Sequence, residues 1–248
     1  MNHSRNVPGL IKLDRTRSTN DYAIELLLKK DVLDGTIIWA LEQTKGKGEG
    51  DNKWESEAGK NLTATIIFRP SFLLPVNQFS LLQIVALGVY DYLKTYIDDV
   101  FIKWPNDLYV GGNKIAGILI ENSIIGEEIN YSIAGIGINI NQIKFPSSLE
   151  NPISMKMLTS KHYELEESLS LLNQHIGNNY QFLKERKYKE INSRYQSVLY
   201  KLEKLSAFHF QGKMIRGKIK GVSDTGELLL ELESGEIQSF GFKELVYE

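Results

Sequence analysis

The 248-residue chain contains no cysteine. That excludes disulfides, thiolate metal ligands and a cysteine nucleophile together, and it fits an intracellular protein. Histidine is scarce. His3, His162, His175 and His209 are the only four, none in HExxH or another paired spacing for zinc, so no protein-only metal site is expected. Neither sign of charge dominates either: 29 basic against 31 acidic side chains leave a formal charge of −2. No overall pull toward nucleic acid or anionic membrane follows, and any anion site must be local. No run of about 18 apolar residues occurs, and the opening MNHSRNVPGLIK lacks the apolar stretch of a signal peptide. The expectation is a soluble, cytoplasmic protein that does not act on a membrane.

What is present is a core. Hydrophobic residues make up 42% of the chain, enough for one sizeable domain and a small one. RSTNDYAIELLLKK reads as a helix with Ser18 as N-cap, Asp21 at the capping-box position, and Ala23, Leu26 and Leu27 on one face. TIIWA and NLTATIIF read as strands, and between them lies GKGEGDNKW, residues 46 to 54. Leu82, Val85, Ala86, Val89 and Leu93 form the core stripe of a long helix. VFIK, DLYV, KIAGILIEN and YSIAGIGININ return to strand texture, with GGN as a tight turn. From Glu166 to Tyr200 the pattern is helical, with Leu169, Leu172, Ile176 and Leu183 on one stripe. Beyond Leu205 short strands are divided by SDTG and ESGE. This gives a mixed α/β unit over 1–200 and a β-barrel-like unit over 201–248, the latter of roughly 45 residues and marginal alone.

Four stretches could carry chemistry, and each has a bland reading beside the functional one. KWPNDLYVGGNK sets Lys103 and Lys114 on neighbouring strands with Asn106 and Asp107 between them, either an acid and two bases in a cleft or a solvated hairpin. In IAGIGININ, alternation puts Gly135, Gly137, Asn139 and Asn141 on a nearly bare face. That face suits a flat ligand edged by Asn139, or a closely packed helix. The alternating glycines of the 46–54 stretch match neither the Walker loop nor the dinucleotide fingerprint. They permit a loop whose amides turn toward an anion, or an ordinary exposed turn. Ser18, Thr19 and Asn20 either cap a helix or read a small polar group.

Together, Ser18-Thr19-Asn20, Gln43, the glycine stretch closed by Trp54, KWPNDLY, NKIAGIL and GIGININ resemble the catalytic domain of the biotin protein ligases. The resemblance covers most of residues 10 to 142, and the last stretch is similar to that family's SH3-like domain. It implies an α/β fold of the class II synthetase-like kind, a mixed sheet with flanking helices. The implied reaction joins biotin to ATP as biotinyl-AMP and passes biotin to a lysine of a biotin carboxyl carrier protein domain. ATP with Mg²⁺ is implied as cofactor, Asp107 being a possible metal contact. Site residues carried over are Lys114, Asp107 and Lys103 for catalysis. Ser18, Thr19, Asn20, Gln43, Lys47, Gly48, Glu49 and Lys114 would hold biotin, and Lys47, Trp54, Asn106, Gly135, Gly137 and Asn139 the nucleotide. The alternatives are a lipoate or octanoate ligase or transferase, whose arginine- and glycine-rich signature is not visible, and a non-catalytic adenylate- or carrier-binding protein. The family includes monomers and homodimers. Members that bind DNA carry an extra N-terminal domain for which there is no room before Leu10, so no nucleic-acid partner is expected.

One departure matters. Lys47 and Glu49 stand where the family commonly has bases or amides. A carboxylate about 6 Å from a phosphate is repelled by roughly 3 kcal/mol at an effective dielectric of 20, over tenfold in binding. The expectation is that Lys47 points inward while Glu49 and Asp51 reach solvent or pair with Lys45 and Lys53.

Overall fold

A computed structural model describes residues 9–248. The first eight residues, His3 among them, lie outside the described residues. Seven strands form one mixed sheet in the order β1-β2-β3-β7-β6-β5-β4, from β1 (Leu10–Thr16), β2 (Thr36–Gln43) and β3 (Leu62–Phe68) through β4 (Val100–Lys103), β5 (Asp107–Val110), β6 (Asn113–Ile125) and β7 (Glu128–Ile138). Only β1 and β2 run parallel, because α1 (Thr19–Lys29) carries the chain back over one face. The other pairings are antiparallel, and Gly111 (φ 56°) and Gly112 (φ 83°) make the β5–β6 turn read from GGN.

The other face of the sheet is covered by α2 (Phe79–Lys94), α4 (Leu165–Lys184) and α5 (Tyr188–Ser197), with the short α3 (Met155–Thr159) leading in. The sequence marks one apolar stripe on α2, but Leu81, Ile84 and Leu87 are buried as deeply as that stripe. The reason is that α2 is enclosed, with the sheet on one side and α4 and α5 on the other. Gly88 allows the approach: a Cβ there would lie 2.8 Å from Ile176 Cα. The helical stretch after Glu166 is two helices, broken where Arg186 takes φ 56°.

The C-terminal strands β8 (Leu205–Phe210), β9 (Lys213–Val222), β10 (Leu228–Leu232), β11 (Ile237–Phe240) and β12 (Leu245–Tyr247) form a second, antiparallel sheet in the order β11-β10-β9-β8-β12. Its buried residues Phe208, Ile219 and Leu230 belong to the same apolar cluster as α2 and the large sheet. Two hydrogen bonds bring the small sheet and α5 onto the KWPND turn. Trp104 Nε1 donates to the Gly226 carbonyl at 2.9 Å, and the Tyr195 hydroxyl donates to the Pro105 carbonyl at 2.6 Å.

Candidate active site

A cavity of about 690 Å³ opens between the large sheet, the 46–54 stretch and β12. Its floor is the glycine face of β7. That face is bare for two separate reasons: a Cβ on Gly135 would overlap the Asn20 amide, and one on Gly137 would overlap the Trp54 ring. Helix α1 does pack there, at its first turn, and the indole covers the rest.

At one end of the cavity lie Ser18, Thr19, Asn20 and Gln43. Ser18 occupies the N-cap position of α1 but does not cap it, and Asp21 does not complete a capping box. The backbone at Ser18 is extended, and its buried hydroxyl makes no helix bond. The Thr19 N–H instead donates to Gln43 Oε1 on β2 at 2.8 Å. Buried polar side chains with hydroxyls turned to a cavity are the means by which a protein reads a neutral polar ligand.

The other end is cationic. Strand pairing sets Asp107 opposite Lys103 on one side and opposite Gly117 on the other. Plain alternation would put Lys114 on the face away from Gly117. A β-bulge, visible as the register shift beside Leu108 and Tyr109, rotates Lys114 back to the cavity, where Nζ lies 2.8 Å from Asp107 Oδ1. Residues 151–153 pin its backbone: Lys114 N–H donates to the Asn151 carbonyl at 2.8 Å, and Ile153 N–H to the Lys114 carbonyl at 3.0 Å. Lys103 donates to the Tyr109 hydroxyl at 3.2 Å and sits 4.7 and 4.9 Å from the ring centres of Tyr109 and Tyr247. Burial holds the Lys103 ammonium below the ordinary lysine range, against the opposing pull of Asp107.

The glycine stretch is neither an open cradle nor a loose turn. It is a tight hairpin: Gly48 N–H donates to the Asn52 carbonyl at 2.8 Å and Trp54 N–H to the Gly46 carbonyl at 3.0 Å. Gly50 takes φ 63° at the tip, and a Cβ on Gly46 would overlap the Trp54 carbonyl. These amides are therefore spent within the hairpin rather than on an anion. Lys47 lines the cavity and pairs with Asp21 of α1, which raises its pKa chiefly through their hydrogen bond. Glu49 reaches solvent, as expected, but its ionic partner is neither Lys45 nor Lys53: it pairs with Lys243, just before β12, at 3.6 Å. Asp51 reaches solvent.

The site residues carried over from the resemblance all line this one cavity except Asn139, and Asn141 of the expected bare face lies outside it too, its amide donating to the Tyr163 carbonyl at 2.7 Å. Asn139 sits past the end of β7, where its amide donates to the Ile153 carbonyl at 3.0 Å and so holds the 151–153 segment in place. Asn106 lines the cavity, yet its amide donates to the Ile118 carbonyl at 2.6 Å and fixes the KWPND turn. Sequence reasoning missed Glu150, Lys243 and Tyr247, which also line it. Nothing in the sequence marks the first two, and Tyr247 is one aromatic among the strands of a separate sheet.

Comparison with known proteins agrees with this geometry. Residues 13–139 match the biotin/lipoate A/B protein ligase family, and residues 211–242 match the biotin protein ligase C terminal domain. The chain is 30% identical over 239 residues to the bifunctional ligase/repressor BirA of Bacillus spizizenii, covering 91% of this chain and 70% of that protein. It is 34% identical over 169 residues to the biotin acetyl-CoA-carboxylase ligase of Paracoccus denitrificans, covering 64% of this chain and 68% of the other. Among solved structures, the biotin protein ligase from Aquifex aeolicus in complex with biotin and ATP superposes with a TM-score of 0.82 at 28% identity, covering 98% and 99% of the two chains. The chain therefore belongs to the biotin/lipoate A/B protein ligase family, and its second matched domain places it with the biotin protein ligases.

Proposed function

We propose that the chain joins biotin to ATP in this cavity and then delivers biotin to a lysine of a carrier protein domain. The observation that carries the reading is the polarity of one continuous cavity, with neutral hydrogen-bonding side chains at one end and Lys103, Asp107 and Lys114 at the other. A ureido ring suits the first end and a carboxylate meeting a phosphate the second. In the first step a biotin carboxylate oxygen bonds to the α-phosphorus of ATP as the bond to pyrophosphate breaks. Charge crowds at that phosphorus, and Lys114, held from two sides, is the fixed cation beside it. In the second step the carrier ε-amine adds to the acyl carbon and AMP leaves, with Asp107 placed to accept a proton from the incoming ammonium.

Among the described residues no group of three His, Asp or Glu side chains forms a metal cage. Asp107 is the side chain that would reach a Mg²⁺ ion held on the ATP phosphates, and such an ion would supply neutralising charge there. A cytoplasmic setting is compatible with the use of ATP. A homodimer built by sheet extension would use β1, because the β4 edge is covered where Ile102 N–H donates to the Val198 carbonyl at 2.9 Å. Sedimentation over a tenfold concentration range tests that arrangement.

Exchange of labelled pyrophosphate into ATP tests the chemistry. Biotin-dependent exchange is the expected result. Exchange supported by lipoate or octanoate instead would overturn the substrate, and tight biotin binding without exchange would overturn the activity.

A further inference from the structure

Behind the neutral end of the cavity, Thr65 and Glu121, neither of which lines it, are hydrogen-bonded to the residues that do. Thr65, on the interior strand β3, is fully buried, and its Oγ1 lies 2.7 Å from Thr19 Oγ1 and 2.6 Å from Asn20 Oδ1. Asn20 Nδ2 donates to Glu121 Oε2 on β6 at 2.7 Å. Thr19 Oγ1 also lies 3.1 Å from Gln43 Oε1.

The protons can be placed by elimination. An ionised carboxylate only accepts, so Glu121 fixes the Asn20 amide with its nitrogen outward and its oxygen toward Thr65. That oxygen only accepts as well. The single Thr65 proton must therefore occupy the 2.6 Å contact, since two oxygens that close with no proton between them repel. With its proton spent, Thr65 Oγ1 accepts, and the Thr19 hydroxyl donates back into the protein across the 2.7 Å contact. The longer 3.1 Å approach to Gln43 is the one left without a proton, and Gln43 Oε1 keeps the Thr19 N–H at 2.8 Å. What Thr19 turns to the cavity is then a lone pair.

We propose that Glu121 and Thr65 are positioning residues that set the hydrogen-bond polarity of the ligand end, committing Thr19 to accept from a ligand N–H. This rests on the biotin reading above: a ureido ring carries two such N–H groups, and a dithiolane carries none. The device gives a role to a fully buried threonine with no access to the cavity, on a strand whose other threonine, Thr63, donates to the Ala40 carbonyl. It makes selection depend on a charge one strand removed from the ligand.

The test uses the whole enzyme, biotin, and two biotin analogues in which one or other ureido N–H is replaced by an ether oxygen. Wild type should bind one of the analogues at least about a hundredfold more weakly than biotin, because a buried acceptor would face an oxygen. Thr65→Val, of the same shape, and Glu121→Gln, which lets the Asn20 amide turn over, should raise the KM for biotin about tenfold. Discrimination against that analogue should shrink to below about tenfold, with the KM for ATP within about twofold of wild type. Thr65→Ser should restore the wild-type ratio. Glu121 also attracts Lys47, so agreement of the uncharged Thr65→Val change with Glu121→Gln separates polarity from charge. An unchanged discrimination ratio in both variants would overturn the relay, while failure of wild type to bind biotin would overturn the substrate reading itself.

Discussion

Lys114 and Lys103 carry equal formal charge beside the same carboxylate, yet their surroundings assign them different work. Lys114 is held by a bulge, an ion pair and two backbone bonds, and for that reason it is proposed as the fixed cation. Its removal in Lys114→Ala should lower pyrophosphate exchange by about two to three orders of magnitude, the cost of losing one preorganised charge stabiliser. A near-normal rate would sink the assignment. Lys103 is held between two aromatic rings with its ammonium destabilised by burial. A lysine is charged below its pKa, so a reaction that needs the Lys103 ammonium is at full rate below that lowered value and declines as pH rises through it. The alkaline limb of the exchange rate should therefore begin below the ordinary lysine range of about 10.4, and Lys103→Arg should move it upward. A limb unmoved by that change would remove Lys103 from the charge count. Asp107, Lys114, Lys201 and Glu150 are the charged groups around it, and only the first and last favour its ammonium.

At the scale of elements, the 46–54 hairpin shows what a sequence does and does not disclose. Its glycines and its place between Gln43 and Trp54 mark a special loop. What they do is local and steric: Gly50 makes the turn and Gly46 admits the Trp54 carbonyl. The partner of Glu49 was not legible, because Lys243 is distant in sequence and reaches the hairpin only when the small sheet docks. The pair is about half exposed, so it contributes about 0.2–1 kcal/mol and is screened by salt. Lys243→Ala should accordingly speed release of bound adenylate by no more than about fivefold, with the effect fading at high ionic strength. A charge-swapped Glu49→Arg, Lys243→Glu protein should keep the pair while removing the acid from the hairpin. It should retain adenylate longer than wild type, and faster release measured by filter binding would count against Glu49 as the weakening element. The bulge that aims Lys114 was equally hidden: KIAGIL reads as an ordinary apolar strand, and only pairing with β5 shows the extra residue. The face and enclosure of α2 give a stability test. Alanine favours a helix interior over glycine by about 1 kcal/mol, but a Cβ at Gly88 meets Ile176 backbone that cannot yield. Gly88→Ala should destabilise by a net of about 1–2 kcal/mol in a denaturant melt while leaving the KM for biotin unchanged.

For the whole molecule, most strands and helices around the large sheet were legible as apolar runs or stripes, whereas the largely exposed β1 carried no such signal. The relation of the two sheets did not. It depends on single long-range contacts such as Trp104 to Gly226, and on Tyr247 closing over Lys103, which no local pattern encodes. Those contacts make the small sheet part of the site rather than an attachment to it. The central claim is that this one cavity performs both halves of a biotin transfer. It is tested most directly by incubating the full chain with biotin, ATP, Mg²⁺ and an unmodified carrier domain, and following the carrier by intact-mass spectrometry. The account predicts one biotinyl group per carrier, on lysine, dependent on ATP and formed about two to three orders of magnitude more slowly by Lys114→Ala. An unmodified carrier despite biotin-dependent pyrophosphate exchange, or a carrier modified only when lipoate replaces biotin, would contradict it.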